Sequence, residues 1–339
     1  MRSCKRLAAA ALAALLVLCL AACGAEQRAE ATVFAMDTVM NLTAYGRGAQ
    51  RGVEDAEDEL YRLDAVLSRA GEKSAVRALN ETGEADDPEL AALLSRAAEI
   101  SRATLGAFDP TVAPVLALWG FGAGSEERRV PEEAELLEAL SRVGAEAIGV
   151  SGSRVTLSPG AAVDLGGIAK GYAGERVRQL LGENGVKSAV IDLGGDVALL
   201  GGKPDGSPWR VAIRDPNGGA DYLGILEAED CFVVTSGVYE RQFEENGVTY
   251  HHIIDPATGY PADSGVVSAT VVCADGLWAD ALATAVSVMG AERALALREA
   301  AEVPFSLILV TDEGRVLLTQ DLAERFQEGN GAYAYEYVA

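Results

Sequence analysis

The sequence predicts a mixed α+β fold, on three observations. Apolar residues in the first half recur at helical spacing. The second half is dominated by short β-branched runs. Turns rather than regular helices separate those runs, which argues against a doubly wound parallel sheet. Thr32 to Tyr45 alternates as a strand. Val53, Ala56, Leu60, Leu63 and Leu67 recur at three and four, one face of a helix. Asp87-Pro88 opens a second helix, a capping acid before a first-turn proline, with Leu90, Leu93, Leu94, Ala97 and Ile100 inward. Pro131 opens a third, with Leu136, Leu137, Leu140 and Val143 inward. Strands are expected at 188–193, 209–214, 231–236, 248–254, 266–273 and 305–310, with one helix over 276–289 among them.

The amino terminus reads as a targeting segment. Arg2, Lys5 and Arg6 precede an apolar run from Leu7 to Leu20, too short for a membrane span. The run ends in Leu20-Ala21-Ala22-Cys23, which resembles the bacterial lipoprotein box. On that resemblance, residues 1–22 are a signal peptide, Cys23 is lipidated, 23–32 form a tether, and 33–339 form the folded domain. The mature protein is then expected on the extracytoplasmic face of a cell membrane, held by acyl chains.

The formal charge is −23. Without Arg2, Lys5 and Arg6 it is −26, from 25 basic and 51 acidic residues. Such a surface repels nucleic acid and anionic headgroups, so no nucleic-acid partner is expected. An anionic ligand needs a local device: backbone amides, a metal ion or placed cations. Beyond the signal and anchor only Cys231 and Cys273 remain, as thiols or as a disulfide; with no CxxC motif they do not suggest a zinc or iron–sulfur centre.

Four clusters carry chemistry. His251 and His252 are the only histidines, and they lie at a strand end before an Asp255-Pro256 turn. Imidazole titrates near neutrality, so a proton shuttle or a pair of packing rings is read here. Two segments echo one another: Asp164-Leu-Gly166-Gly167 and Asp192-Leu-Gly194-Gly195-Asp196. Their glycine amides can face phosphate oxygens or simply form tight turns. After the first, Lys170 enters a helix whose N-terminal amides favour an anion. Asp280 and Thr284 share a helical face. Their oxygens suit Mg²⁺, and the apolar surround of that helix argues for burial against the solvent exposure such a pair usually has. Residues 106–122 gather Phe108, Trp119 and Phe121 among prolines and glycines, either walling a flat ligand or covering the core.

In this order the clusters resemble the ApbE family of flavin transferases. The resemblance runs from Met36-Asp37-Thr38 through Ser68, Ser74, Asn80, Phe108-Asp109-Pro110-Thr111, Leu118-Trp119-Gly120-Phe121-Gly122 and the two glycine motifs. It continues through Thr235-Ser236-Gly237 and His252-Ile-Ile-Asp255-Pro256 to Ala279-Asp280 and Thr284. It implies a T-fold-like α+β architecture with FAD in a cleft and Mg²⁺ at the diphosphate. Asp280, Thr284 and the Gly167 carbonyl are the implied metal ligands; Met36, Ala107, Phe108, Asp109, Asp164, Lys170 and Ile254 are the implied FAD contacts. His252 is the implied catalytic acid or base. The chain departs from the family at Asp37, where glycine is frequent, and at Ala70, where a flavin-stacking aromatic is frequent.

The implied reaction is attack by a Thr or Ser hydroxyl of an acceptor flavoprotein on the FMN-side phosphorus of FAD, releasing AMP. The acceptor is expected in an extracytoplasmic or membrane redox system. Two alternatives stand beside it: a Mg²⁺-dependent FAD pyrophosphatase giving FMN and AMP, which would use the same residues with water as nucleophile, and a non-catalytic flavin-binding lipoprotein.

Overall fold

The computed structural model describes residues 27–339, except 70, 72–73, 123–126, 219–221 and 330. Cys23 and Ala70 therefore lie outside the described residues. The frame is a nine-stranded sheet in the spatial order 28–35, 38–45, 188–192, 196–200, 232–237, 266–273, 305–311, 315–319 and 334–338. All neighbours are antiparallel except the last pair, which is parallel. The expected α+β class is what the chain adopts.

Both faces of the central strands are buried, which explains why they read as continuous apolar runs. Val271, Cys273, Leu307 and Leu309 face a helical layer built from Ala49–Leu67, Pro88–Ala103, Ala169–Glu183 and Gly276–Met289. Val272, Ile308 and Val310 face a second, smaller sheet of Trp209–Arg214, Tyr222–Ala228 and Phe326–Glu328. This alternation settles the cysteines. Cys273 packs on the helical side and Cys231 on the other, and both are free thiols.

Several boundaries differ from the sequence reading. The predicted strand at 32–45 is a hairpin, Arg28–Ala35 and Thr38–Tyr45, turning at Met36 and Asp37 with φ of 49° and 59°. Both residues are left-handed, which is why glycine suits position 37, and aspartate tolerates it better than most. The first strand among the described residues thus begins at Arg28, inside the stretch assigned to the tether. The strand expected to run to 254 stops at His251, with Ile254 in an isolated bridge to Pro261. The helix after Pro131 spans Glu133–Leu140 and buries Leu136 and Ala139 but leaves Leu137 62% exposed, because a helix this short covers only one narrow stripe. The helices at 49–67, 88–103 and 276–289 form as expected; Asp87 accepts from the Glu89 and Leu90 amides at 2.9 Å.

Two helices of the layer meet at a pair of glycines. A Cβ on Gly171 would lie 2.1 Å from the Gly276 carbonyl oxygen, and one on Gly276 would lie 2.6 Å from that of Gly171. This close approach brings Asp280 against the start of the Ala169–Glu183 helix. Gly171→Ala is expected to destabilise the protein by about 3 kcal/mol, since backbone on both helices must move. A thermal melt unchanged from wild type would contradict that packing.

Candidate functional site

A cleft of about 400 Å³ opens where the hairpin tip, the 106–122 loop, the two glycine motifs, the 235–241 segment and the Gly276–Met289 helix converge. The residues implied as metal ligands, FAD contacts and catalytic acid or base all line it: Met36, Ala107, Phe108, Asp109, Asp164, Gly167, Lys170, His252, Ile254, Asp280 and Thr284. They come from positions up to 248 residues apart, so only the fold assembles them.

Asp280 is 4% exposed. Its Oδ2 accepts from the Gly171 amide at 2.9 Å, so the amides opening that helix serve the protein's own carboxylate. The expectation that these amides stand free for a ligand is therefore corrected. The glycine motifs need the same correction. Asp164 Oδ1 accepts from Gly166 N at 2.7 Å, and Asp192 Oδ1 accepts from Gly194 N and Gly195 N at 3.0 and 3.2 Å. Each acid closes its own turn, as Asx side chains do. The second Asp164 oxygen is held by Arg69 at 2.6 Å. Asn80 grips the preceding residue at both backbone groups, donating to the Val163 carbonyl at 2.9 Å and accepting from Val163 N at 2.7 Å.

The charges at the base of the cleft are unequal. Lys170 Nζ lies 3.0 Å from Asp196 Oδ2. Burial opposes the ammonium, but Asp196 and Asp280 more than offset it and hold its pKa above the usual lysine range. Asp196 is 3% exposed, and Oδ2 has no hydrogen bond of good geometry despite that ion pair. Burial raises its pKa. Burial, then the neighbouring Asp196 charge, pushes Asp280 up to about 7. Burial also raises Glu240, on the same wall. Three acids around one lysine leave this pocket short of positive charge.

The residues fit a hard divalent cation. Among the described residues no three His, Cys, Asp or Glu side chains are grouped so as to hold a metal ion. A cation here would instead take one carboxylate, one hydroxyl and backbone carbonyl oxygen, leaving positions for ligand oxygens, as Mg²⁺ prefers. Gly167 backbone runs against Thr284: a Cβ there would sit 3.1 Å from Thr284 Oγ1. Gly167, Asp280 and Thr284 thus share the cleft wall.

The two histidines divide their roles. His251 Nε2 donates to the Ala262 carbonyl at 3.0 Å, and the ring is absent from the cleft lining. His252 lines the cleft, its ring edge-on to Phe121 at 6.4 Å. Its Nδ1 is buried with no hydrogen-bond partner among the described residues. Burial, reinforced by the charge of Arg241, lowers its pKa to about 4. The ring is therefore neutral near pH 7 and able to take a proton.

The aromatic loop splits. Phe108 and Phe121 line the cleft, whereas Trp119 is fully buried behind it, donating Nε1–H to the Gly259 carbonyl at 2.8 Å and packing on Tyr250. Asp109 turns its carboxylate into its own loop, accepting from Thr111 N at 2.8 Å and Ser101 Oγ at 3.2 Å, so it borders the cleft without a free oxygen there. Sequence reasoning did not single out Asp196 for a role, nor did it find Glu240 and Arg241, which also line the cleft. A signal existed for Arg241. Asn246-Gly247 is a strong two-residue hairpin turn, and counting outward from it sets Arg241 opposite His252.

Comparison with known proteins gives a consistent picture. Residues 36–306 match the ApbE family. The chain is 38% identical over 285 residues to the FAD:protein FMN transferase of Treponema pallidum, covering 77% of this chain and 78% of that protein. It is 36% identical over 268 residues to the FAD:protein FMN transferase of Vibrio cholerae, covering 78% and 79%. The crystal structure of an ApbE protein from Thermotoga maritima superposes with a TM-score of 0.83 at 34% identity, over 89% of this chain and 100% of that one.

Proposed function

This chain belongs to the ApbE family, and on that premise we propose that it transfers FMN from FAD to a Thr or Ser hydroxyl of an acceptor flavoprotein, with Mg²⁺, releasing AMP. Its curated relatives are FAD:protein FMN transferases, and it is an enzyme of that kind. The observation that carries the finer reading is the convergence of His252, Lys170, Asp280 and Thr284 on one cleft. Asp280, the Thr284 hydroxyl and the Gly167 carbonyl would hold Mg²⁺, which when bound supplies positive charge at the diphosphate.

The residues of the chain do the rest. Phe108, Phe121 and Ile254 offer apolar wall for a flat ring, and Met36 sits at the hairpin tip with its amide fixed to Asp64 Oδ1 at 2.9 Å. Lys170 contributes positive charge at the base of the cleft. The acceptor oxygen forms a bond to the FMN-side phosphorus as the anhydride bond to AMP breaks. His252 takes the hydroxyl proton, and the bonding electron pair leaves with the AMP phosphate. The product is a phosphoester between FMN and the acceptor.

The test combines the purified chain, FAD, Mg²⁺ and a candidate acceptor from a membrane or extracytoplasmic redox system, then weighs the acceptor by mass spectrometry. A mass gain of one FMN phosphoester is expected. Free FMN with an unmodified acceptor would instead identify a pyrophosphatase, and intact FAD after prolonged incubation a flavin-binding protein.

We also propose that Cys23 carries the lipid anchor. Among the described residues no helix is long and apolar enough to cross a membrane. Cys23→Ala is expected to abolish incorporation of labelled fatty acid and to move the protein out of the membrane fraction. Membrane retention of the unlabelled variant would count against the anchor.

A further inference from the structure

We infer that Arg241 is a catalytic residue whose guanidinium binds the oxygens of the phosphoryl group in transfer. The inference rests on the transferase reading only in taking His252 as the proton acceptor.

Three observations lead to it. The first is register. The hairpin of Gln242–Glu245 and Val248–His251 pairs Gln242 with His251, and the ladder continues one step as His252 N donates to the Arg241 carbonyl at 3.0 Å. Directly opposed residues of an antiparallel pair project from the same face, with Cβ atoms about 5 Å apart. Arg241 and His252 both line the cleft. A base that removes a proton from a hydroxyl attacking phosphorus lies one oxygen away from that phosphorus. The longer arginine side chain beside it spans the same short distance.

The second is charge. Lys170 and Arg241 are the cationic residues among the cleft-lining set. Lys170 is paired with Asp196 at 3.0 Å. Arg241 forms no ion pair with any described residue, and it is solvent-exposed while lining the cleft. Asp196, Asp280 and Glu240 also line the cleft, so a transferring phosphoryl group enters an acidic surround. The unpaired arginine is the cation free to meet it.

The third is rigidity. Asn246 and Gly247, with φ of 54° and 79°, form the tight turn that fixes the register. On the same face, Phe243 stacks on Tyr250 at 5.5 Å and contacts Trp119 and Phe121, anchoring the hairpin to the buried aromatic cluster. Arg241 leaves this platform at its cleft end. A planar guanidinium on a fixed backbone suits the spread charge of a phosphoryl transition state.

The test compares wild type, Arg241→Gln and Arg241→Lys in FAD, Mg²⁺ and acceptor protein, following AMP release, acceptor flavinylation and FAD affinity. Arg241→Gln is expected to lower kcat for AMP release by about 10²–10³-fold, with FAD affinity changed by less than about threefold; Arg241→Lys recovers part of the loss. A pH profile gives a separate readout. The charged and titratable groups acting on His252 are Arg241, His251 and Lys170. Removing Arg241 moves the acid limb of kcat/KM upward, and lysine restores it. An unchanged kcat, or a loss matched by weaker FAD binding, overturns the role of Arg241. Whether AMP appears with flavinylated acceptor or with free FMN judges the transferase reading separately, because Arg241 acts on the phosphorus whichever oxygen attacks. A wild-type chain that releases no AMP overturns both.

Discussion

His252→Ala is expected to lower FMN transfer by about 10²–10⁴-fold while FAD still binds. The ring is neutral at pH 7 because burial and the Arg241 charge hold its pKa at about 4. Its proton-accepting form is thus fully populated from about pH 5 upward, and the acid limb of kcat/KM should fall near pH 4 rather than at the usual imidazole value. The stability consequence has a definite sign. A histidine whose folded pKa is depressed is protonated more readily when unfolded, so its neutral burial destabilises the fold progressively as pH falls from about 6.5 to about 4. His252→Ala should flatten the stability–pH curve in that window. His251→Ala should leave transfer nearly intact, since that ring is tied to the Ala262 carbonyl outside the cleft. Full activity in the His252 variant would remove the ring from the chemistry.

Asp280→Asn is expected to have a comparable effect on catalysis and to raise stability in the absence of metal. The amide keeps an acceptor for the Gly171 N–H but loses the charge a divalent cation requires. FMN transfer should fall more than about 10²-fold, and FAD affinity should cease to respond to added Mg²⁺. In the absence of metal the variant should melt at a higher temperature than wild type. Asp280 is raised to about 7 by burial and by Asp196, so its charged form is unfavourable in the folded chain, at a cost on the order of 1 kcal/mol or more. Functional sites commonly hold such strain. The assignment fails if Asp280→Asn remains active and Mg²⁺-responsive. A lower melting temperature would mean that the carboxylate supports the helix junction more than it strains it.

Much of the fold was readable because its signals are local. Asp87-Pro88 marks a helix start whatever surrounds it, and leucines at three and four mark a buried face. The hairpin tip escaped because Met36-Asp37 carries none of the glycine or asparagine chemistry that announces a left-handed turn, yet both residues adopt it. Leu137 was assigned inward because hydrophobicity alone does not say which of two adjacent leucines meets the core. The two glycine motifs were correctly located but the Gly166, Gly194 and Gly195 amides were not free, since hydrogen-bond partners depend on side chains that only the folded turn brings together. The same holds for Asp196. Within the sequence it is one more acid near Asp192; in the fold it is the buried partner of Lys170.

The sequence by itself determined the α+β class, the family, and many of the positions that line the cleft, because those properties are written in periodicity, turn residues and motif order. Only the tertiary structure decided which oxygen, nitrogen or charge at those positions is available. That depends on burial and on partners distant in the chain: Gly171 against Gly276 sets Asp280 at a helix start, and a two-residue turn sets Arg241 across from His252. Hydrogen bonding and electrostatics act over a few ångströms, so they are fixed by folded neighbours rather than by neighbours in sequence.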